Sequence, residues 1–189
     1  MLLSVLPVAA VDPAVLAAIE KFLGSRLPVT TRREAAMSVP PEAHDPKRDQ
    51  YDGTLMLRAA LAQCPPEASR LLVVTDLDLF IPMLTFIFGQ AQIDGTAAIV
   101  SLARLRPEFY GLPPGPDLFT ARYLKEALHE MGHTYGLTHC PDPGCTMSLS
   151  VNIAGIDRKH PDLCGNCTVR LSDKLDTLRR DPAQPRRES

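Results

Sequence analysis

The sequence lacks three features that would point to a nucleic acid, a membrane or secretion. Its 189 residues carry 20 basic and 22 acidic side chains, a formal net charge of −2, which argues against a broad nucleic-acid surface. No apolar run approaches the roughly 18 residues needed to span a bilayer. The apolar N-terminus has no basic residue before it and ends at Asp12 and Pro13, unlike a signal peptide. We therefore expect a cytoplasmic protein with neither a nucleic acid nor a membrane as partner.

The length favours one domain with a substantial core over two full domains. Hydrophobic residues make up 45% and charged residues 22% of the chain, which is ordinary for a globular protein. We predict a single domain over residues 1–178, acting as a monomer, with an upper part at 1–136 and a lower part at 137–178. The charged, proline-containing segment 179–189 is expected to be a disordered tail.

Short apolar runs alternate with helical patterns along the first two thirds of the chain. The expected elements are, in order, a strand at Leu2–Val8, a helix capped by Asp12, a strand within Val29–Val39, a helix at Thr54–Gln63, a strand at Arg70–Asp76, a hairpin of Leu84–Phe88 with Ala97–Leu102, and a long helix capped by Asp117. Strands separated by helices favour a largely parallel sheet. We predict an α/β fold with a mixed, mostly parallel β-sheet, flanking helices, and a short helix from Ser172.

The end of the long helix carries a histidine pattern that is typical of a zinc site. His129 and His133 are four residues apart and share one helical face, so both can bind one ion. Glu130 is rotated about 100° from His129 and is better placed to reach a water beside the metal than the metal itself. Gly136 can end the helix in a left-handed conformation, which lets His139 return as a third ligand. Three histidines leave one position open, which is the catalytic arrangement.

Cysteines provide a second candidate metal site. Cys140 and Cys145 are followed, after eighteen intervening residues, by Cys164 and Cys167. Two close pairs at this separation resemble a four-cysteine zinc site. Two disulfides and a redox-active pair are the alternatives, and the lack of a signal peptide argues against stable disulfides. Cys64 is left over and is expected to be a buried, inert thiol.

His139 and Cys140 are adjacent, which constrains how the two candidate sites are arranged. Neighbouring side chains of an extended segment point to opposite sides. One of these residues therefore faces the first metal and the other faces the second. The four-cysteine site would then fix the loop that presents His139, in a structural role because four thiolates leave no open position.

The chain resembles the archaemetzincins, a branch of the metzincin zinc metallopeptidases. Residues 129–139 match HExxHxxGxxH, which together with a Met-turn is the metzincin signature, and the four cysteines follow. The resemblance extends to further segments: DLDLFIPMLTFIFGQA at 76–91, AAIVSLARLRPEFYG at 97–111, KEALHE at 125–130 and, more weakly, residues 48–51. It thus covers roughly residues 48–167 and implies a zinc metallopeptidase that acts on a peptide or protein substrate.

The resemblance also implies a role for each residue of the site. His129, His133 and His139 would hold the catalytic zinc, with Glu130 as general base and acid. Met147 would be the Met-turn residue; its spacing alone suggests a core methionine, and both interpretations bury it. The four cysteines would hold a second, structural zinc, so the expected cofactor content is two Zn²⁺ per chain. The implied fold is metzincin-like, with the active-site helix at a cleft and a small irregular C-terminal subdomain.

The resemblance further implies that one strand, expected at Leu84–Phe88, forms an exposed edge above the cleft, to which an extended peptide could add. Two other functions stay open on the sequence. The protein could be a zinc-stabilised peptide-binding module without peptidase activity, although Glu130 is intact. It could also be a zinc hydrolase that acts on a non-peptide amide.

Overall fold

The structure, a computed structural model, describes residues 1–180. Five α-helices, nine strands and three short 3₁₀ segments are present in this range. The strands are β1 (Leu2–Val8), β2 (Thr30–Arg33), β3 (His44–Asp45), β4 (Gln50–Asp52), β5 (Arg70–Thr75), β6 (Leu79–Ile81), β7 (Leu84–Ile87), β8 (Gly89–Ala91) and β9 (Ala97–Ser101). The helices are α1 (Pro13–Arg26), α2 (Gly53–Leu61), α3 (Pro116–Thr134), α4 (Ile153–Arg158) and α5 (Gly165–Arg180).

The main sheet has the order β2-β1-β5-β9-β8 and is parallel except for the β8–β9 pair. Its central strands β5 and β9 are buried along their whole length, because helices cover both faces. Alternate residues of β5 face opposite layers, with Leu72 and Val74 packing towards α1 and α3 and Leu71 and Val73 towards α2. The predicted α/β fold with a mixed, mostly parallel sheet is confirmed.

A smaller sheet of order β3-β4-β6-β7 lies beside the main one. The predicted hairpin between Leu84–Phe88 and Ala97–Leu102 is wrong in its first strand, because β7 pairs with β6 in the smaller sheet. The chain passes from one sheet to the other at Phe88. It is the unpredicted strand β8 that forms the antiparallel hairpin with β9.

The starts of two helices test the predicted caps. Asp12 caps α1 as predicted, with its side chain accepting a hydrogen bond from the backbone N–H of Ala14. The predicted cap Asp117 is wrong: α3 begins at Pro116, and Asp117 lies inside its first turn. Proline has a fixed φ and no N–H to satisfy, so it suits the first position of a helix.

The lower part contains more helix than the sequence indicated. Helix α4 was not predicted, and α5 begins at Gly165 instead of Ser172 and continues to Arg180. Residues 179 and 180 of the expected tail are therefore helical, and 181–189 lie outside the described residues. Within the described range no helix has both the length and the apolar character needed to cross a membrane.

Candidate active site

The last two turns of α3 carry two histidines whose rings are each held at Nδ1 by a backbone carbonyl. His129 places Nδ1 2.9 Å from the carbonyl oxygen of Thr146, and His133 places Nδ1 2.7 Å from that of Leu137. A carbonyl only accepts, so each Nδ1 carries the proton. Each Nε2 is then unprotonated and has a lone pair available to a metal. The two Nε2 atoms are 3.1 Å apart.

His139 joins them after a turn at Gly136, whose φ is +82°, as the predicted left-handed residue. Ring nitrogens of the three histidines lie within 4.8 Å of one another. His139 is exposed at the mouth of the cavity, and partial desolvation, and secondly the positive charge of Lys159, lowers the pKa of its imidazole. Burial is also the main cause that lowers the pKa of His129 and of His133. Neutral imidazoles converging in this way fit a zinc ion, which requires deprotonated ligands.

Glu130 is buried beside the histidines and lines the same cavity. Burial, and secondly the nearby charge of Glu126, raises its pKa well above the ordinary value. A bound dication would oppose that shift by favouring the carboxylate. Glu130 therefore stands where a carboxyl group can exchange a proton with a molecule in the cavity.

The cavity has a volume of about 550 Å³ and is mainly apolar, with Thr85, Gln90, Thr138 and Ser150 as uncharged polar lining residues. The cavity walls come from the segment 81–93, the end of α3 and the segment 149–151. The apolar lining residues are Ile81, Leu84, Phe86, Ile87, Phe88, Ala91, Ile93, Leu149 and Val151. Among residues 1–180 the charged residues that line it are Glu126, Glu130 and Lys159, all of them on or beside the end of α3.

A buried ion pair beside the site was missed by the sequence analysis. Lys159 donates from Nζ to Oε1 of Glu126 at 3.0 Å, and the two side chains are 0% and 4% exposed. Glu126 precedes Glu130 by one helical turn, which a helical projection does show. Lys159 follows α4, an element that was itself unpredicted, and no pattern in the sequence distinguishes it from a surface lysine.

The four predicted cysteines also converge. Sulfur atoms of Cys140, Cys145, Cys164 and Cys167 lie within 4.8 Å of one another, and all four are free thiols. Cys140 Sγ and Cys164 Sγ are 3.8 Å apart, too far for a disulfide. Thiolates about 2.3 Å from a tetrahedral zinc lie about 3.8 Å from each other, so the donor set fits zinc. Cys64, expected to be buried, is only partly buried.

Main-chain contacts join the two groups of ligands. The N–H of Cys140 donates to the carbonyl of Met147 at 2.9 Å, and this fixes the residue next to His139. Met147 is fully buried, as predicted, and lies directly against α3 at Gly132. Thr146, whose carbonyl holds His129, lies between Cys145 and Met147. The segment 145–147 therefore supports two of the three histidines.

Three imidazoles converge in this cavity, and the buried Glu130 lies between two of them in the sequence. Together with the adjacent four-thiol group, this arrangement is that of a zinc metallopeptidase. The comparisons agree: the model of peptidase family M54 matches residues 68–173. The archaemetzincin of Methanocaldococcus jannaschii is 42% identical over 138 residues, which cover 73% of this chain and 75% of the relative. That of Methanopyrus kandleri is 40% identical over 157 residues, which cover 83% of each chain. The chain belongs to family M54, the archaemetzincins.

Solved structures show the same fold. The archaemetzincin of Methanopyrus kandleri superposes with a TM-score of 0.83 at 36% identity, covering 93% of this chain and 96% of that one. A zinc-dependent peptidase from Methanocorpusculum labreanum gives 0.79 at 31% identity, covering 89% and 99%. The similarity therefore includes the upper and the lower part of the chain.

Proposed function

We propose that this zinc metallopeptidase hydrolyses peptide bonds with Glu130 as general base and with His129, His133 and His139 as ligands of the catalytic zinc. The observation that supports this most is the pinned orientation of the histidines beside Glu130. Two backbone carbonyls hold Nδ1 of His129 and His133, which leaves the Nε2 atoms directed at one point. An ordinary helix with surface histidines would not bury them in this tautomer.

Zinc, when bound, lowers the pKa of a coordinated water to about 7 and polarises a carbonyl group. The chain supplies the proton transfers. Glu130 accepts the proton of the attacking water and returns it to the leaving amine, a task typically worth about 10²–10⁴-fold in rate. The apolar walls of the cavity reduce the number of water contacts around this exchange.

We assign a second zinc to Cys140, Cys145, Cys164 and Cys167. Four thiolates close the coordination sphere, so this ion has a structural role. The backbone N–H groups of Met147 and Cys164 lie 3.4 Å from the sulfur of Cys145 and would stabilise its thiolate. A site of unpaired thiols suits a reducing compartment, and we propose the cytoplasm.

The peptide is proposed to add to β8. Backbone pairs alternate along the β8–β9 ladder: the N–H of Ser101 donates to Phe88 and that of Gln92 to Ala97. Gly89 and Ala91 therefore direct their N–H and C=O groups away from β9. These groups are free for an extended substrate. The edge predicted at Leu84–Phe88 belongs to the smaller sheet, and β8, the edge of the main sheet, takes its place in the proposal.

The test compares Glu130→Ala with His133→Ala. We expect Glu130→Ala to keep both zinc ions and near-normal stability while it loses most hydrolysis. His133→Ala should lose the catalytic zinc as well. Zinc content and turnover are measured on the same preparations, with a peptide found by screening the wild type against an unbiased library. Wild-type turnover in Glu130→Ala would contradict the mechanism.

The library screen also addresses the alternatives. A peptide-binding module would retain peptides without cleaving any of them, and the intact Glu130 does not favour that function. A hydrolase of non-peptide amides would cleave small amides and leave every peptide uncut. Cleaved peptides, with loss of cleavage in Glu130→Ala, support the proposal over both.

A further inference from the structure

Gly89, the first residue of β8, lies directly against the side chain of Glu130. Its φ is not in the left-handed region, where among the described glycines only Gly111 and Gly136 lie. The backbone conformation therefore does not require a glycine here. A Cβ at this position would lie 2.6 Å from both Cγ and Oε1 of Glu130 and 2.7 Å from the carbonyl oxygen of Ile99. The space that a side chain would need is already filled by the Glu130 carboxyl group.

The Glu130 carboxyl group has no other anchor in the described part of the chain. Among residues 1–180 no hydrogen bond or ion pair reaches its oxygens. Glu126, one turn earlier, is by contrast held by Lys159 at 3.0 Å. Packing therefore fixes the orientation of Glu130, and the backbone of β8 at Gly89 is one surface against which its side chain packs.

We propose that Gly89 is a positioning residue: because it has no side chain, it leaves the space that the Glu130 carboxyl group occupies and so holds this group in the cavity. This inference rests on the proposed role of Glu130 as general base. A methyl group at 89 could not move towards β9, because the Ile99 carbonyl belongs to the β8–β9 pairing. The carboxyl group would have to rotate away instead, and a displacement of about 1 Å at a reacting group can cost about 10²-fold in rate.

The experiment measures Gly89→Ala for kcat, KM and zinc content, using the full chain loaded with zinc. We expect kcat to fall about 10²-fold, with KM near the wild-type value and zinc content unchanged. Gly24→Ala is the matched control, because a Cβ there meets nothing closer than 3.9 Å, and it should retain wild-type kinetics. A raised KM at unchanged kcat, or loss of zinc from Gly89→Ala, overturns the inference, since the residue would then act on substrate or metal.

Glu130→Gln, measured alongside, separates the two proposals. If it retains turnover, the proposed function fails. If it is inactive while Gly89→Ala keeps wild-type kcat, the proposed function stands and the positioning role fails.

A second variant applies if Gly89→Ala does not fold. The double variant Gly89→Ala/Glu130→Ala removes the Glu130 side chain and leaves the Ile99 carbonyl in place, with Glu130→Ala as its reference. Recovery of the folded state in the double variant supports the contact between 89 and 130. If neither Gly89→Ala nor the double variant folds, the clash is with the Ile99 carbonyl and the inference is overturned.

Discussion

At the scale of single residues, the ion pair of Glu126 and Lys159 places two charges in the buried surroundings of the site. Both side chains are withdrawn from water, and burying two charges costs several kcal/mol per ion before their attraction is counted. The pair places a positive charge near the histidines, which contributes to the lowered pKa of His129. That charge opposes protonation of the imidazoles and so helps to keep them in the form that binds metal.

Removing one partner of this pair should destabilise the protein more than replacing both partners with apolar residues. We predict that Lys159→Met loses about 3–5 kcal/mol of stability, because Glu126 is left as an uncompensated buried charge. The double variant Glu126→Leu/Lys159→Met should recover most of that loss. Urea unfolding of the zinc-loaded proteins measures both. Equal stability of the single and double variants would contradict the argument.

The raised pKa of Glu130 predicts a pH-dependent stability once the histidine-bound metal is removed. Above pH 4.5, its ordinary value, the unfolded chain releases the proton while the folded chain keeps it. The wild type therefore loses stability as pH rises towards the folded pKa, by about 1.4 kcal/mol per pH unit.

Glu130→Gln cannot titrate, so we expect it to match the metal-depleted wild type near pH 4 and to exceed it in stability at pH 7. Urea unfolding across this range gives the difference, in which the contributions of other groups cancel. A difference that stays constant with pH would show that the folded carboxyl group titrates normally.

The convergence of the three histidines could be predicted from their spacing at this scale, and the contacts that orient their rings could not. Helical geometry alone places His129 and His133 on one face, and Gly136 marks the turn that returns His139. The carbonyls of Thr146 and Leu137 that orient the rings are backbone atoms, which every residue carries. The space for Glu130 at Gly89 likewise arises from contact between distant segments.

At the scale of elements, α3 approaches the segment below it more closely than an ordinary helix would allow. A Cβ at Gly132 would overlap Sδ of Met147. The missing side chain lets the buried methionine contact the helix backbone between His129 and His133. The histidines and the Thr146 carbonyl are held together by this contact.

We predict that Gly132→Ala is destabilising although alanine is the better helix former. Overpacking of this kind costs about 1–3 kcal/mol, more than the roughly 1 kcal/mol of helix propensity gained. Gly24→Ala in α1 is the control, since it gains propensity with open space around the new methyl group. Thermal unfolding should move down for the first and stay or rise for the second. A rise for both would show that Met147 yields without cost.

Elements whose own sequence decides their structure were predicted correctly. The strands β1, β5 and β9 are continuous apolar runs, and α1 has its cap and proline in register. Strand β8 is three residues long and begins just after the chain has passed from one sheet to the other at Phe88. Its pairing therefore depends on the other strands. Helix α4 has six residues and begins at the cap Asn152, too short for a helical period to be recognised.

At the scale of the whole molecule, most buried apolar residues come from the upper part, and the lower part adds fewer to the same core. The segment 138–164 contributes only Met147, Ile156 and Cys145 to the buried apolar residues. Its order therefore depends on the four-thiol site and on contacts with α3. Arg122 binds Asp157 of α4 at 2.7 and 2.8 Å, and Lys125 donates to the carbonyl of Ile156 at 3.1 Å.

This difference predicts the order in which metal is lost. Purified protein should carry two zinc ions per chain, one for each group of ligands. A mild chelator should remove the histidine-bound ion first, because only that site has an exchangeable position. Activity should disappear at this step and return on addition of zinc, with far-UV circular dichroism and protease resistance unchanged throughout.

A stronger chelator should then remove the thiolate-bound ion, and its loss should be a loss of structure. Without that ion the segment 140–167 keeps only a few buried apolar residues and its polar contacts with α3, and binding free energy at such sites is folding free energy. Limited proteolysis should cut within this segment while β1, β5 and β9 stay protected, because the main sheet retains its own core. Intact-mass analysis that finds two disulfides and one zinc would contradict the four-cysteine assignment. Simultaneous loss of both ions with unfolding of the main sheet would show instead that the two parts fold as one cooperative unit.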